Sequence, residues 1–343
     1  MNGFKNICKD RMKRTGRTNL CRLCSRRRLS AAQTLFFFLL TYLPALLLPA
    51  CGKQVPDPPS VCVKMTVRIP PSAAGGTLDL FFFNKDPLRT LDSYERFESL
   101  PEGSFEAASR SGDKIVAGIL NLPCDMWAWS DIRTFQRLSE RVSDLTADRP
   151  DRPVMTGLAE VRAGRERRGE LVLEPLLSRI VLHSLCCDFH SRPYRDAVLQ
   201  DVDIYLVNVN RSFALFDDGT HTLPASWINM GERDDPASDA VHLARVEGTA
   251  LPEAEFWCYP NAAAEEGLGR PLTCLVVEGT LLGERYWYPV GIPSIGRGET
   301  VSVDLTITRT GTSGPDIPVS TEAVRCAMQV LPWREMDAYP VLF

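Results

Sequence analysis

The chain has little of what catalysis and metal binding usually need. Among 343 residues there are four histidines, His183, His190, His221 and His242. No two show helical or Cx2C-type ligand spacing, so no metal site is expected. There is no GxSxG, no HExxH, no Walker loop and no GxGxxG after a strand, which removes the usual signatures of acyl transfer, zinc proteolysis and phosphate binding. The acidic run Asp234–Asp239 lacks the register of a calcium loop and reads as a solvated loop. Asp217-Asp218-Gly219 reads as a turn. No particular pair of carboxylates points to glycoside hydrolysis. The expectation is a chain that is not an enzyme and needs no cofactor.

Long hydrophobic runs are also missing. The longest uncharged apolar run, Thr34–Leu48, has fifteen residues, short of the roughly twenty a spanning helix needs, and Pro44 interrupts it. It follows the basic residues Lys13, Arg14, Arg17, Arg22, Arg26, Arg27 and Arg28, with Met12 as an alternative start. Basic, then short apolar, then small is the layout of a secretory signal. The run ends in Leu48-Pro49-Ala50-Cys51, which resembles the bacterial lipobox. There the bond before the cysteine is cut and the thiol is joined to diacylglycerol. Leu48 and Ala50 match that pattern; Pro49 is an uncommon occupant. The expectation is a signal peptide over 1–50, cleavage between Ala50 and Cys51, and lipid on Cys51. The alternative is an ordinary signal peptide with an accidental cysteine. The CRLC pair at Cys21 and Cys24 falls in the removed segment and has no second pair. Residues 51–60, polar and proline-rich, read as an extended tether.

A basic surface is absent beyond the signal. Residues 1–50 hold ten Lys/Arg and one acidic residue, which leaves 29 basic and 42 acidic residues in 51–343, a formal charge of −13. Such a body is a poor nucleic-acid binder, because phosphate contact needs a basic face. Seven cysteines lie beyond Cys51: Cys62, Cys124, Cys186, Cys187, Cys258, Cys274 and Cys326. Their odd number and unrepeated spacing do not form a disulfide framework. Most read as small buried apolar residues, with at most one disulfide.

What the sequence does have is alternation. In VKMTVRI, Val63, Met65, Val67 and Ile69 share one face; in VSVDLTITR, Val301, Val303, Leu305 and Ile307 do; in VRCAMQV, Val324, Cys326, Met328 and Val330 do. Period two predicts half-buried strands of an antiparallel sheet. Leu78–Phe83 and Asp203–Val209 are apolar on both faces and suit central strands. Leu275–Val290 reads as two strands turning around Gly283-Glu284. One stretch reads as helix: Ile132, Phe135, Leu138, Val142 and Leu145 recur at three- and four-residue steps after a candidate N-cap, Ser130. The fold class expected is all-β, in two sandwiches with a boundary near Glu174-Pro175: 61–175, then 176–343 with a C-terminal strand. Trp127, Trp129, Trp257, Trp287, Trp333, Tyr286 and Tyr288 offer either a sugar-stacking platform or core filling, and their place within or beside strands favours the core.

Several stretches together carry a family resemblance. Leu78–Phe97, PVMTG (Pro153–Gly157), Leu173–Asn210, WINMG (Trp227–Gly231), FWCYPN (Phe256–Asn261), Leu275–Val290 and Ile307–Val319 are similar, in order and spacing, to the Bacteroidales fimbrillins, subunits and anchors of the type V pilus. The match spans 61–333. It implies two tandem transthyretin-like β-sandwiches, a lipidated precursor and a surface-facing outer-membrane location. It also implies partners: the outer membrane through the lipid on Cys51, other fimbrial subunits, and a host or bacterial surface receptor. In that family polymerising subunits lose an N-terminal strand to an Arg/Lys-specific protease and a neighbour's strand fills the groove, whereas an anchor keeps its own strand and its lipid.

The loop after the first strand, Pro70–Gly76, has no basic residue, and Arg68 lies inside the predicted strand, where a protease reaches poorly. This favours an anchor or accessory subunit over a processed shaft or tip subunit. The arginine-rich loop Arg162–Glu170 is cleavable, but cutting there divides the chain near the domain boundary. The candidate assembly strands are therefore Val63, Met65, Val67 and Ile69 at one end and Val324, Cys326, Met328 and Val330 at the other. The apolar tail Met336–Phe343 either packs on its own sheet, enters a partner's groove or frays. The rival reading is a surface glycan-binding lipoprotein that uses the tryptophans.

Overall fold

Alternating apolar residues form strands along the computed structural model, which describes residues 59–332 except 71–75, 101–102, 165–167, 217–226, 229–240, 253, 266–270 and 321. In chain order the strands up to Pro175 are β1 (Ser60–Arg68), β2 (Leu78–Asn84), β3 (Leu91–Phe97), β4 (Ser104–Arg110), β5 (Gly112–Leu120), β6 (Val142–Asp144), β7 (Met155–Ala163), β8 (Arg168–Val172) and β9 (Glu174–Pro175). Then follow β10 (Ser178–Cys187), β11 (Leu199–Val207), β12 (Val209–Asn210), β13 (Ser212–Ala214), β14 (Trp227–Ile228), β15 (Val241–Val246) and β16 (Thr249–Ala250). The last are β17 (Ala254–Cys258), β18 (Thr273–Leu281), β19 (Glu284–Ile292), β20 (Glu299–Ile307) and β21 (Val324–Pro332).

Two sheets come from the strands up to Pro175, in the orders β4-β1-β8 and β3-β2-β5-β7-β9. Two come from the later strands: β16-β10-β20-β21, with β17 also on β10, and β15-β11-β18-β19. Among the described residues, only the small β6–β13 pair joins the two groups of strands. The chain is all-β, as the alternation predicts. Two of these four sheets are antiparallel as expected, and the other two are mixed, because β1–β8 and β10–β20 run parallel. Period two fixes which face a residue takes and carries no information about a neighbour's direction.

The core explains the two-sided strands. Leu78, Leu80 and Phe82 of β2 pack with Val63, Met65, Val116, Met155 and Leu171, between the two early sheets. Phe81 and Phe83 face the other way, into a larger cluster that holds Trp129, Ile132, Phe135 and Leu138 together with Ile180, Leu206 and Val303. The sheet containing β2 is thus buried on both sides, which requires apolar residues at consecutive positions. The second cluster is continuous across residue 175. The described residues accordingly belong to one compact unit, Pro58–Phe343.

The long helix expected from Ser130 does not form. A 3-10 turn (Met126–Trp129) ends at Ser130, and a five-residue helix α1 (Phe135–Ser139) follows, with Thr134 as its N-cap. Ile132, Phe135, Leu138 and Leu145 are buried as the spacing suggests, but Val142 is 57% exposed. The reason is tertiary. The backbone of 142–144 leaves helical geometry to pair with β13, and propensity gives way to that pairing. The β18–β19 turn falls at Leu282-Gly283, one residue earlier than expected, with φ of 57° and 85°.

Candidate assembly strands

β1 lies inside its sheet. It pairs antiparallel with β4 from Ser60 to Thr66 and parallel with β8 from Lys64 to Arg68. Both rows of its backbone groups are taken where the two ladders overlap, at Lys64–Thr66. Val63 and Met65 are fully buried, Val67 and Ile69 are half-buried, and Cys62 and Lys64 face outward. Gly169 makes room for the methionine: a Cβ there would stand 2.7 Å from the Met65 sulfur. Arg68 closes the strand, its carbonyl accepting from the Leu173 amide at 2.9 Å and its guanidinium 2.6 Å from Glu170. Residues 71–75 of the following loop, like Ala50 and Cys51, lie outside the described residues.

β21 is the opposite case. Among the described residues it pairs with β20 alone, and so forms the edge of its sheet. Val324, Cys326, Met328 and Val330 stand opposite Ile307, Leu305, Val303 and Val301, and so share the core-facing side. The four β20 residues are buried, yet only Val324 of β21 is. Met328 is 36% and Val330 49% exposed, and Cys326 is exposed as well. Alternation assigns the face; it does not reveal how much of that face is covered. The tail Met336–Phe343 lies outside the described residues.

Several polar side chains of the later sheets are engaged with one another. Asp304 accepts from the Ser184 hydroxyl and lies 3.0 Å from His183 Nδ1, and those two contacts hold its carboxyl below the usual range. Serine and histidine meet the carboxylate, not each other, so this is no nucleophile–base pair. His242 is in β15, with Nδ1 2.6 Å from Asp203 Oδ1. Arg285 then bridges Asp203 at 2.9 Å and Glu278 at 2.5 Å, and Glu278 accepts from the Tyr205 hydroxyl at 2.8 Å. That chain of side chains is invisible in the sequence because its members lie on four strands, β11, β15, β18 and β19, most of them far apart in the chain. His221 and the acidic run Asp234–Asp239 lie outside the described residues.

The aromatic residues are dispersed. Trp129 and Tyr288 are buried, whereas Trp257, Trp287 and Tyr286 are half-buried. Trp257 lies under the Arg179 guanidinium, 5.9 Å from its ring centre. Trp127 stands out at 76% exposed, and Trp333 is outside the described residues. Near the Trp127 turn a cleft of about 460 Å³ is lined by Arg96, Asn121, Cys124, Asp125, Arg149 and Arg152. Burial pushes the Cys124 thiol up, which makes it a poor nucleophile. Of the seven later cysteines, all unbridged, only Cys258 is fully buried.

No protein-family model and no curated protein matches the chain. Solved structures do. A candidate cell adhesion protein of Bacteroides eggerthii DSM 20697 superposes with a TM-score of 0.62 at 14% identity, over 82% of this chain and 98% of that one. The fimbrilin FimA of Porphyromonas gingivalis W83 gives 0.60 at 13% identity, over 79% and 97%. The tip fimbrial protein Mfa3 of Porphyromonas gingivalis gives 0.52 at 12% identity, over 80% and 100%. The chain has the fimbrillin fold.

Proposed function

We propose that this protein is a non-enzymatic structural component of type V-like fimbriae, assembling with other subunits by β-strand complementation and supporting cell adhesion. The observation that carries this reading is the fold shared with FimA over 97% of that chain. Two features of the terminal strands support it physically. β1 fills a slot between β4 and β8, and its absence would free two rows of N–H and C=O groups and the pockets of Val63 and Met65. Among the described residues, β21 has an unpaired edge and an alternate apolar row. Open edges of this kind are completed by strand addition.

Within that reading, an anchor or accessory subunit is favoured over a polymerising shaft or tip subunit. The chain would carry lipid on Cys51, keep β1, and present two sandwiches, 61–175 and 176–343, on the outer surface. N-terminal sequencing of the protein from purified fimbriae tests the choice. A blocked start at Cys51 is expected, whereas a start beyond Arg68 would make it a polymerising subunit. Labelled palmitate should enter the wild type and not Cys51→Ser; label surviving that change would remove the tether.

A glycan-binding role is kept as a second reading because Trp127 is 76% exposed, an unusual cost unless the ring meets a partner. Binding on a glycan array that disappears in Trp127→Ala would favour it.

A further inference from the structure

Lys114 begins the apolar part of β5, yet its side chain is 1% exposed. Its Nζ donates to Asn84 Oδ1 at 2.6 Å and lies 3.0 Å from Asp92 Oδ2, which is 4% exposed. Asn84 and Lys114 stand directly opposite each other in the β2–β5 register. The amide is held in place, since Asn84 Nδ2 donates to Thr90 Oγ1 at 3.0 Å and Thr90 Oγ1 donates to Asp86 Oδ2 at 2.8 Å. Asp92 also accepts from the Ser109 hydroxyl at 3.0 Å and the Arg110 amide at 2.8 Å. A buried amine, a buried carboxylate and a half-buried carboxamide from three adjacent strands therefore meet in mutual contact.

We propose that Lys114 and Asn84 join in an intramolecular isopeptide bond, with Asp92 as the group that moves the proton. The Lys114 ammonium passes a proton to Asp92, and the freed amine adds to Cγ of Asn84, forming the new N–C bond. A proton from the attacking nitrogen and the one on Asp92 pass to Nδ2, the Cγ–Nδ2 bond breaks, and the nitrogen leaves as ammonium with the charge that Lys114 held. Asp92 ends as the carboxylate it began as. No oxidant or co-reactant is consumed. Holding the groups in contact supplies the orientation such a step needs. Burial pushes the Asp92 carboxyl up, but the Arg110 amide, Lys114 and Ser109 bring it below the usual range, so it stands ionised, and its contact with Nζ at 3.0 Å lets it take the proton. Lys114 also lines a cleft of about 370 Å³ with Lys85, Asp113, Glu160, Val161 and Arg162, which gives the ammonium a way out. The product clamps β2 to β5 covalently at one end of their ladder.

Tryptic mapping of the folded full-length chain decides. Trypsin does not cut after an acylated lysine, so the expected species is a branched peptide in which 69–85 is joined to 111–133. It should be lighter than the sum of the two by one ammonia, about 17 Da. Asn84→Ala keeps the Lys114–Asp92 pair and should fold, releasing separate peptides with normal cleavage after Lys114. Asp92→Asn, where folded, should also give separate peptides. Normal cleavage after Lys114 in the folded wild type would overturn the proposal and leave a buried ion pair capped by an amide. A branched peptide surviving Asn84→Ala would overturn it equally.

Discussion

Asp148 shows how much a single buried carboxyl decides. Its Oδ1 accepts from the Arg149 and Val154 amides at 2.9 Å, and its Oδ2 lies 3.2 Å from the Tyr259 hydroxyl. Burial pushes its pKa up to about 6, against the lowering effect of those hydrogen bonds. The folded value lies above the unfolded one, so the folded state prefers the protonated acid. Its favourable contribution is complete below about pH 4 and is lost as pH rises through about 6. Two pH units correspond to about 3 kcal/mol. Asp148→Asn mimics the protonated form and should flatten this dependence. The check is urea unfolding of both proteins at several pH values: the variant's advantage should grow between pH 4 and 7. An advantage that stays constant would contradict the burial argument. Sequence reading could not find this residue, because TADRP looks like any polar turn. The same limit hid the Lys114–Asn84–Asp92 cluster, whose members are unremarkable until the β2–β5 register brings them together. Gly157 was easier to locate, as part of PVMTG, and its role is now physical. A Cβ there would come within 2.0 Å of the Val172 carbonyl, so only glycine lets that backbone pass.

At the scale of elements, the strands were legible and their surroundings were not. β1, β2, β11, β18, β19 and β20 fall where alternation or two-sided apolar runs place them, because each has a sheet on the faces it needs. The helix was misread because an i, i+3, i+4 apolar spacing also suits a turn, a short helix and a strand that happen to line one core. The β18–β19 hairpin turn gives a prediction of its own. Leu282 and Gly283 both have positive φ, the conformation of a two-residue hairpin turn that prefers Asn-Gly. Leu282 is 61% exposed, so its side chain offsets little of the roughly 1 kcal/mol that left-handed backbone costs an ordinary residue. Leu282→Asn should therefore stabilise the protein by about 0.5–1 kcal/mol and raise the melting temperature by about 1–3 °C. Calorimetry measures this directly; a lowered midpoint would mean that the leucine has a packing role.

For the whole molecule, strand pairing and packing divide the chain differently. The strands of the four large sheets divide at residue 175. The core does not separate: one cluster runs from Phe81 and Phe83 through Phe135 to Val303 and Ile307. Local patterns reveal sheets, but the continuity of a core depends on how sheets stack, and no short window of sequence contains that. Several contacts sew the seam. Phe135 meets Phe216 with ring centres 5.8 Å apart, and Thr156 Oγ1 donates to the Leu215 carbonyl at 2.6 Å. Arg297 reaches back to three carbonyls before the divide, donating to Pro175 at 3.1 Å, Thr156 at 2.7 Å and Glu174 at 2.5 Å. Arg297→Met removes that clamp while keeping much of its apolar stem. It should cost about 2–3 kcal/mol, since hydrogen bonds from a charged donor are lost together. Because the core is shared, unfolding in urea should still be a single transition with coincident fluorescence and circular dichroism curves. Two separated transitions in the variant would instead mean that the sheets before and after residue 175 are independent folding units, held together chiefly by one arginine.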